Sequence, residues 1–226
     1  MWTAIGLLVS TLWLFGPVLA DLNTVVIGDP QTDAIRGAWG FQHLSSTVFN
    51  GELPWDSTRV NFPDGARLMV LPLASGLLLS PLGLLDPIFA YNLILILLVF
   101  SSGLATAWLT QVVSDSWAAG FLAGTVLLAQ PMLHHALADG TAEHMALWAV
   151  PLFIGAAWLA LADQNPRWGV GAGLFSIVVA LDSPYHGLYA LVLGVAVLPM
   201  VIKTVRGRET DLWRGCSKSP QHRPAL

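Results

Sequence analysis

The chain has 226 residues, of which 55% are hydrophobic and only 11% charged, with a net charge of −4 and a mean hydropathy of +0.66. A water-soluble domain of this size carries roughly 25% charged residues because its surface must face water, so most of this surface is expected to face lipid. The balance is not basic and no basic and aromatic pattern suggests nucleic acid; a single Cys216 excludes an internal disulfide framework, and no phosphate-cradling glycine loop, CxxC or HExxH motif occurs.

Apolar runs of about 20 residues recur, each long enough to cross a ~30 Å hydrocarbon core. Backbone amides in that core must be satisfied within their own segment, so the runs predict helices. They show no period-two alternation, which argues against a membrane barrel. The first run, 1–20, reads as an uncleaved transmembrane helix. Val18-Leu19-Ala20 before Asp21 looks like a cleavage site, but no Lys or Arg precedes it and the stretch exceeds the usual apolar region of a signal peptide.

Residues 21–86 form the expected extracytoplasmic loop, containing Asp29, Pro30, Asp33, Arg36, Asp56 and Arg59. Within it Ile35, Ala38, Trp39, Leu44 and Val48 recur at helical spacing, which predicts an amphipathic helix on the membrane surface. The stretch 67–85 is apolar but broken by Pro72 and Pro81. A bundle of five spans follows within 87–203, at about 87–113, 117–134, 145–162, 168–184 and 187–203. The tail, 204–226, is polar and predicted to be disordered at its end. The expected fold is thus an all-α integral membrane protein. It has about six transmembrane helices, an extracytoplasmic amphipathic helix and an interfacial or re-entrant segment.

Counting cations sets the orientation. If 67–85 does not cross, one side holds Arg36, Arg59 and Arg67, and the other holds Arg167, Lys203, Arg206, Arg208, Arg214, Lys218 and Arg223. A crossing 67–85 would move Arg167 and the basic tail outside, against the positive-inside rule. Six spans with both termini cytoplasmic are therefore expected.

This topology gathers scattered polar residues on the outer face: Asp29 and Asp33, the segment from His134-His135 through Asp139-Gly140 to Glu143-His144, and Asp182 with Tyr185 and His186. Ionisable groups at membrane depth are costly and mark candidate sites. Clustered Asp, Glu and His suit a divalent cation, and one carboxylate suits a general base. Structural readings stand beside these. Asp29 before Pro30 reads as a helix cap, Asp33 and Glu143 suit helix N-terminal dipoles, and Asp139-Gly140 reads as a turn. His134 and His135 fit among interfacial headgroups, and Asp182 before Ser183-Pro184 reads as another cap.

At these residues the chain resembles the C-type (GT-C) polytopic membrane glycosyltransferases, and more closely bacterial membrane proteins of that superfamily. The matching stretches are Gly28-Asp-Pro-Gln-Thr-Asp33-Ala-Ile-Arg-Gly-Ala-Trp39-Gly40, Asn61-Phe-Pro63-Asp-Gly65, Ala90-Tyr-Asn92-Leu, Gly140-Thr-Ala-Glu143 with Trp148 and Pro151, and Ser183-Pro-Tyr185-His-Gly187-Leu. The resemblance implies transfer of a sugar from a polyprenyl-phosphate carrier on the extracytoplasmic face. Asp33 is the best match to the family's first-loop acid, Asp29 the second, and Glu143 is the next catalytic contributor. His135, His144, Tyr185, His186 and Asp182 would line the substrate, and membrane lipid would fill apolar grooves. Asp33 and Glu143 would also hold a divalent cation (Mg or Mn) near the carrier phosphate. The chain is shorter than members of that class, which implies an N-terminal module completed by a C-terminal half or a protein partner. The alternative is a non-catalytic polytopic protein: a transporter half, a lipid-binding scaffold or an assembly subunit.

Overall fold

The computed structural model describes residues 2–67, 72–163, 165–192 and 194–195. By internal contacts the chain divides into Met1–Gly187 and Leu188–Leu226. In the second unit the described residues, 188–192 and 194–195, are helical. The expected span at 187–203 falls mostly outside the described residues, and the 204–226 tail entirely so. All else below concerns the first unit.

Among its described residues that unit is mainly helical, with one two-stranded hairpin and connecting loops: α1 (Trp2–Leu14), α2 (Ala34–Asn50), α3 (Leu73–Leu78), α4 (Pro87–Ser114), α5 (Trp117–Ala129), α6 (Pro131–Asp139), α7 (Ala142–Met145), α8 (Ala149–Asp163) and α9 (Pro166–Asp182). Strands β1 (Asp56–Ser57) and β2 (Ala66–Arg67) pair antiparallel. Two stretches are long and apolar enough to cross a membrane, Pro87–Ser114 and Ala142–Ala162, the latter made by α7 and α8. The bent pair α5 and α6 makes up to three, if it is one span. The chain is thus a helical membrane-associated protein, with fewer membrane-length helices among the described residues than the six expected.

The shortfall has local causes. Helix α1 covers only 13 residues, because Pro17, which has no N–H to give, turns the run into a 3₁₀ helix over Gly16–Asp21. The run at 117–134 breaks where Gln130, ahead of Pro131, is extended, and α5 and α6 meet at 44°. The Leu128 carbonyl near this break lies 3.1 Å from His134 Nε2.

Helix α4 is the central post. Asp86 caps it, accepting from the Ile88 and Phe89 amides at 3.0 and 3.1 Å, with Pro87 in the first turn. It ends on Asp115 in a left-handed conformation, and Ser116 then caps α5. The hairpin closes tightly because its contact faces lack side chains. A Cβ on Gly120 would sit 2.6 Å from the Ala107 carbonyl oxygen, and one on Gly124 2.7 Å from that of Gly103. Such small-residue spacing lets apolar helices approach backbone to backbone, where dispersion contacts hold them together. Leu7, Tyr91, Ile94, Leu95, Leu98 and Val99 fill the core beside it. At the break between α7 and α8, Ser102 Oγ of α4 accepts the Leu147 amide at 3.1 Å.

The predicted helix in the first loop exists. Ala34, Phe41 and Leu44 are buried, whereas Ile35 and Val48 are exposed. The buried side meets α4 and the segment 73–84. That segment is α3 followed by a 3₁₀ helix over Ser80–Leu84. Neither piece approaches the length needed to cross a ~30 Å core. It lies on α2, where Ser45 donates to the Ser80 carbonyl at 2.8 Å and a Cβ on Gly76 would meet Leu44.

Candidate functional site

The first loop is pinned onto the end of α6 through backbone groups. The Asp29 amide donates to the Ala138 carbonyl at 2.7 Å, the Asp33 amide to that of Asp139 at 3.2 Å, and Thr32 Oγ1 to the same Asp139 oxygen at 2.7 Å. Upstream, fully buried Asn92 of α4 accepts the Ile27 amide at 2.9 Å and donates to the carbonyls of Leu22 and Val25 at 2.9 and 2.7 Å. A buried amide so nearly satisfied fixes the loop's path, because leaving those groups unpaired is costly. Segments more than 100 residues apart in sequence therefore share one end of the fold.

Tyr91 of α4 sits at this junction. This residue is fully buried, and its hydroxyl donates to the Gly140 carbonyl at 3.3 Å. Gly37 leaves the space the ring needs, since a Cβ there would sit 3.0 Å from it. Asp33 is 37% exposed and pairs with Arg36 at 3.1 Å one turn along α2, the Arg36 side chain being 72% exposed. Asp33 is the residue before α2, but its side chain makes no capping bond.

Asp29 does not begin a helix. Its carboxylate accepts the Gln31 amide at 2.9 Å, an Asx turn on an exposed loop. His135 lies 3.4 Å from Asp139, one turn apart on α6. His144 gathers with Tyr185 and His186, at ring separations of 6.3 and 6.1 Å. Burial and the neighbouring His144 hold the His186 imidazole below its ordinary range, and its Nδ1 is buried with no hydrogen-bond partner.

Asp182 stands apart from an open site. It is 1% exposed, and its two oxygens accept the Ser75 amide at 2.7 Å and the Ser75 hydroxyl at 2.6 Å. Trp148 donates from Nε1 to that same hydroxyl at 2.8 Å. These hydrogen bonds tie α9, α3 and the turn before α8 together, so Asp182 is placed to hold the bundle.

Tyr91, Arg36, Ser75 and Trp148 were not among the expected site residues. A tyrosine and an asparagine in the first turns of a long apolar helix were the available signal for Tyr91. Nothing in the spacing could have paired Ser75 with Asp182. Among the described residues no group of three or more His, Cys, Asp or Glu side chains gathers as cation ligands. Compared with known proteins, the chain matches no family model, no curated protein and no solved structure.

Proposed function

We propose that the junction of the first loop with α6 and α7 is the catalytic end of a GT-C-like membrane glycosyltransferase, or of its N-terminal module. Its substrate would be a polyprenyl-phosphate-linked sugar on the extracytoplasmic face, with six spans and both termini cytoplasmic. The observation that carries the reading is the backbone junction of the first loop with the end of α6: the Asp33 amide donates to the Asp139 carbonyl at 3.2 Å, four residues before Glu143. Two acidic segments distant in sequence are thus held side by side, at the end of a helix long enough to span the membrane.

In this scheme Asp33 accepts the proton of the acceptor hydroxyl as that oxygen bonds to the anomeric carbon of the sugar. The bond from that carbon to the carrier phosphate breaks, and its electron pair leaves with the phosphate. Arg36 is largely exposed beside Asp33, so it offers the cation that leaving phosphate needs. Tyr91 and the Gly140 carbonyl fix the floor of the site, and Glu143 orients the acceptor. The carrier's apolar tail would lie in grooves between the helices, beside membrane lipid.

The test is transfer from polyprenyl-phosphate sugar donors in membranes carrying the full chain. A positioned general base contributes roughly 10²–10⁴-fold, so Asp33→Asn is expected to lower the rate by that range. Arg36→Gln is expected to weaken donor binding. Normal transfer by Asp33→Asn would overturn its assignment as the base, and absence of transfer by the unaltered chain would favour a non-catalytic membrane protein, such as a scaffold or assembly subunit.

A further inference from the structure

A cavity lies at the C-terminal end of α2, its nearest lining residue, His43, about 15 Å along the helix from Asp33. Helix α2 ends on Gly51 in a left-handed conformation (φ 70°), and the Glu52 amide turns back to the Thr47 carbonyl at 2.8 Å. This reversal and the β1–β2 hairpin enclose a half-open cleft of about 440 Å³. Sites for small ligands span roughly 300–1,000 Å³, so the cleft is of ligand size.

Its lining is chemically mixed. Glu52, Asp56 and Arg59 bring two negative charges and one positive, and Ser46 and Ser57 bring hydroxyls. Some of their hydrogen-bonding capacity is already used. Ser46 donates to the His43 carbonyl at 2.9 Å, Ser57 Oγ accepts the Arg59 amide at 3.2 Å, and Asp56 pairs with Arg67 at 3.5 Å. The Ser57 proton, the Ser46 lone pairs, the Glu52 carboxylate and one Asp56 oxygen have no partner in these bonds. His43 forms part of the wall. It is 3% exposed and stacked on Trp39 at 5.2 Å, and neither ring nitrogen has a hydrogen-bond partner.

The unused groups include both donors and acceptors, and with Asp56 paired to Arg67 the charges of Glu52 and Arg59 leave the cleft balanced. A balanced lining gives an anionic ligand no net attraction. A multivalent cation is not favoured either, since no group of three acid or imidazole ligands gathers among the described residues. What matches is a neutral ligand whose groups donate and accept at once, as hydroxyls do. Carboxylates that accept and a serine hydroxyl that still has a proton to donate suit it. We propose that this cleft binds a neutral saccharide, at a site separate from the Asp33–Tyr91–Glu143 junction.

The test is saturation-transfer NMR on the full chain in lauryldimethylamine oxide, a detergent without a sugar headgroup. The probes are glucose, galactose, mannose and N-acetylglucosamine, with glucose 6-phosphate as the charged comparison. At least one neutral sugar is expected to bind saturably, and glucose 6-phosphate more weakly. Hydrogen bonds to charged groups are worth about 1.5–3 kcal/mol, so Glu52→Gln or Asp56→Asn should weaken binding about tenfold or more. Both residues are exposed, so neither change threatens the fold. Asp33→Asn should leave sugar binding at this cleft unchanged, which separates this inference from the transferase reading. Failure of all four sugars to bind, binding unaffected by both cleft variants, or tighter binding of the phosphate would each overturn it.

Discussion

Gly28 and Gly140 meet backbone to backbone: a Cβ on Gly28 would lie 2.8 Å from both the Cα and the amide nitrogen of Gly140. Each has positive φ, 102° and 72°, so each position disfavours a side chain on two grounds. Gly140 is also closed in by Ala34, whose Cα would sit 2.5 Å from an added Cβ. Gly28→Ala and Gly140→Ala are therefore both expected to destabilise the fold by about 1–3 kcal/mol or more, with Gly140→Ala the worse. Thermal unfolding of the detergent-solubilised chain measures this. Wild-type melting of Gly140→Ala would mean that the first loop and α6 are not packed as described.

The junction those glycines allow was partly legible in the sequence. Asp29, Asp33, Asp139 and Glu143 stand out because charges are scarce in this chain, and a topology count brings them to one face. What could not be read was how they are used there. Asp29 resembles a helix cap and Asp33 a charge favoured by a helix N-terminal dipole, yet Asp29 makes an Asx turn and Asp33 an ion pair just ahead of the helix, because α2 starts at Ala34 rather than after Pro30. The division of the apolar runs was also underread. Hydropathy sums over windows and does not register that Pro17 and Pro131 break the hydrogen-bond ladder within them. The partnership of Asp182 with Ser75 depends on a fold in which residues 107 positions apart touch.

Asp182 yields a stability prediction. Removing its carboxylate strands the Ser75 amide in a buried environment, where an unmet donor costs about 1–3 kcal/mol. Asp182→Ala should lower stability by at least that amount, and Asp182→Asn by less, since its amide oxygen still accepts. Comparison of the two melting temperatures checks this. Equal, unperturbed melting of both variants would contradict the assigned role.

A pH dependence follows from His186. Its folded imidazole is held below the ordinary value of about 6.5, so the unfolded chain binds more protons between the two values. Stability from this group is full above about pH 6.5 and declines as pH falls from there toward the folded value. Melting temperatures measured between pH 7.5 and 5 should fall on the acid side. His186→Gln, which cannot titrate, should flatten that part of the curve. An identical acid-side slope in the variant would assign the effect to other groups.

The central claim is that Asp33 and Glu143 serve one site, and a double-mutant cycle on the sugar-transfer rate tests it most directly. Groups acting in a single step give strongly non-additive losses. Asp33→Asn and Glu143→Gln are each expected to cut the rate by roughly 10²-fold or more, with the double variant falling little below the worse single one. Wild-type rates in either single variant, or losses that multiply in the double variant, would contradict a shared site.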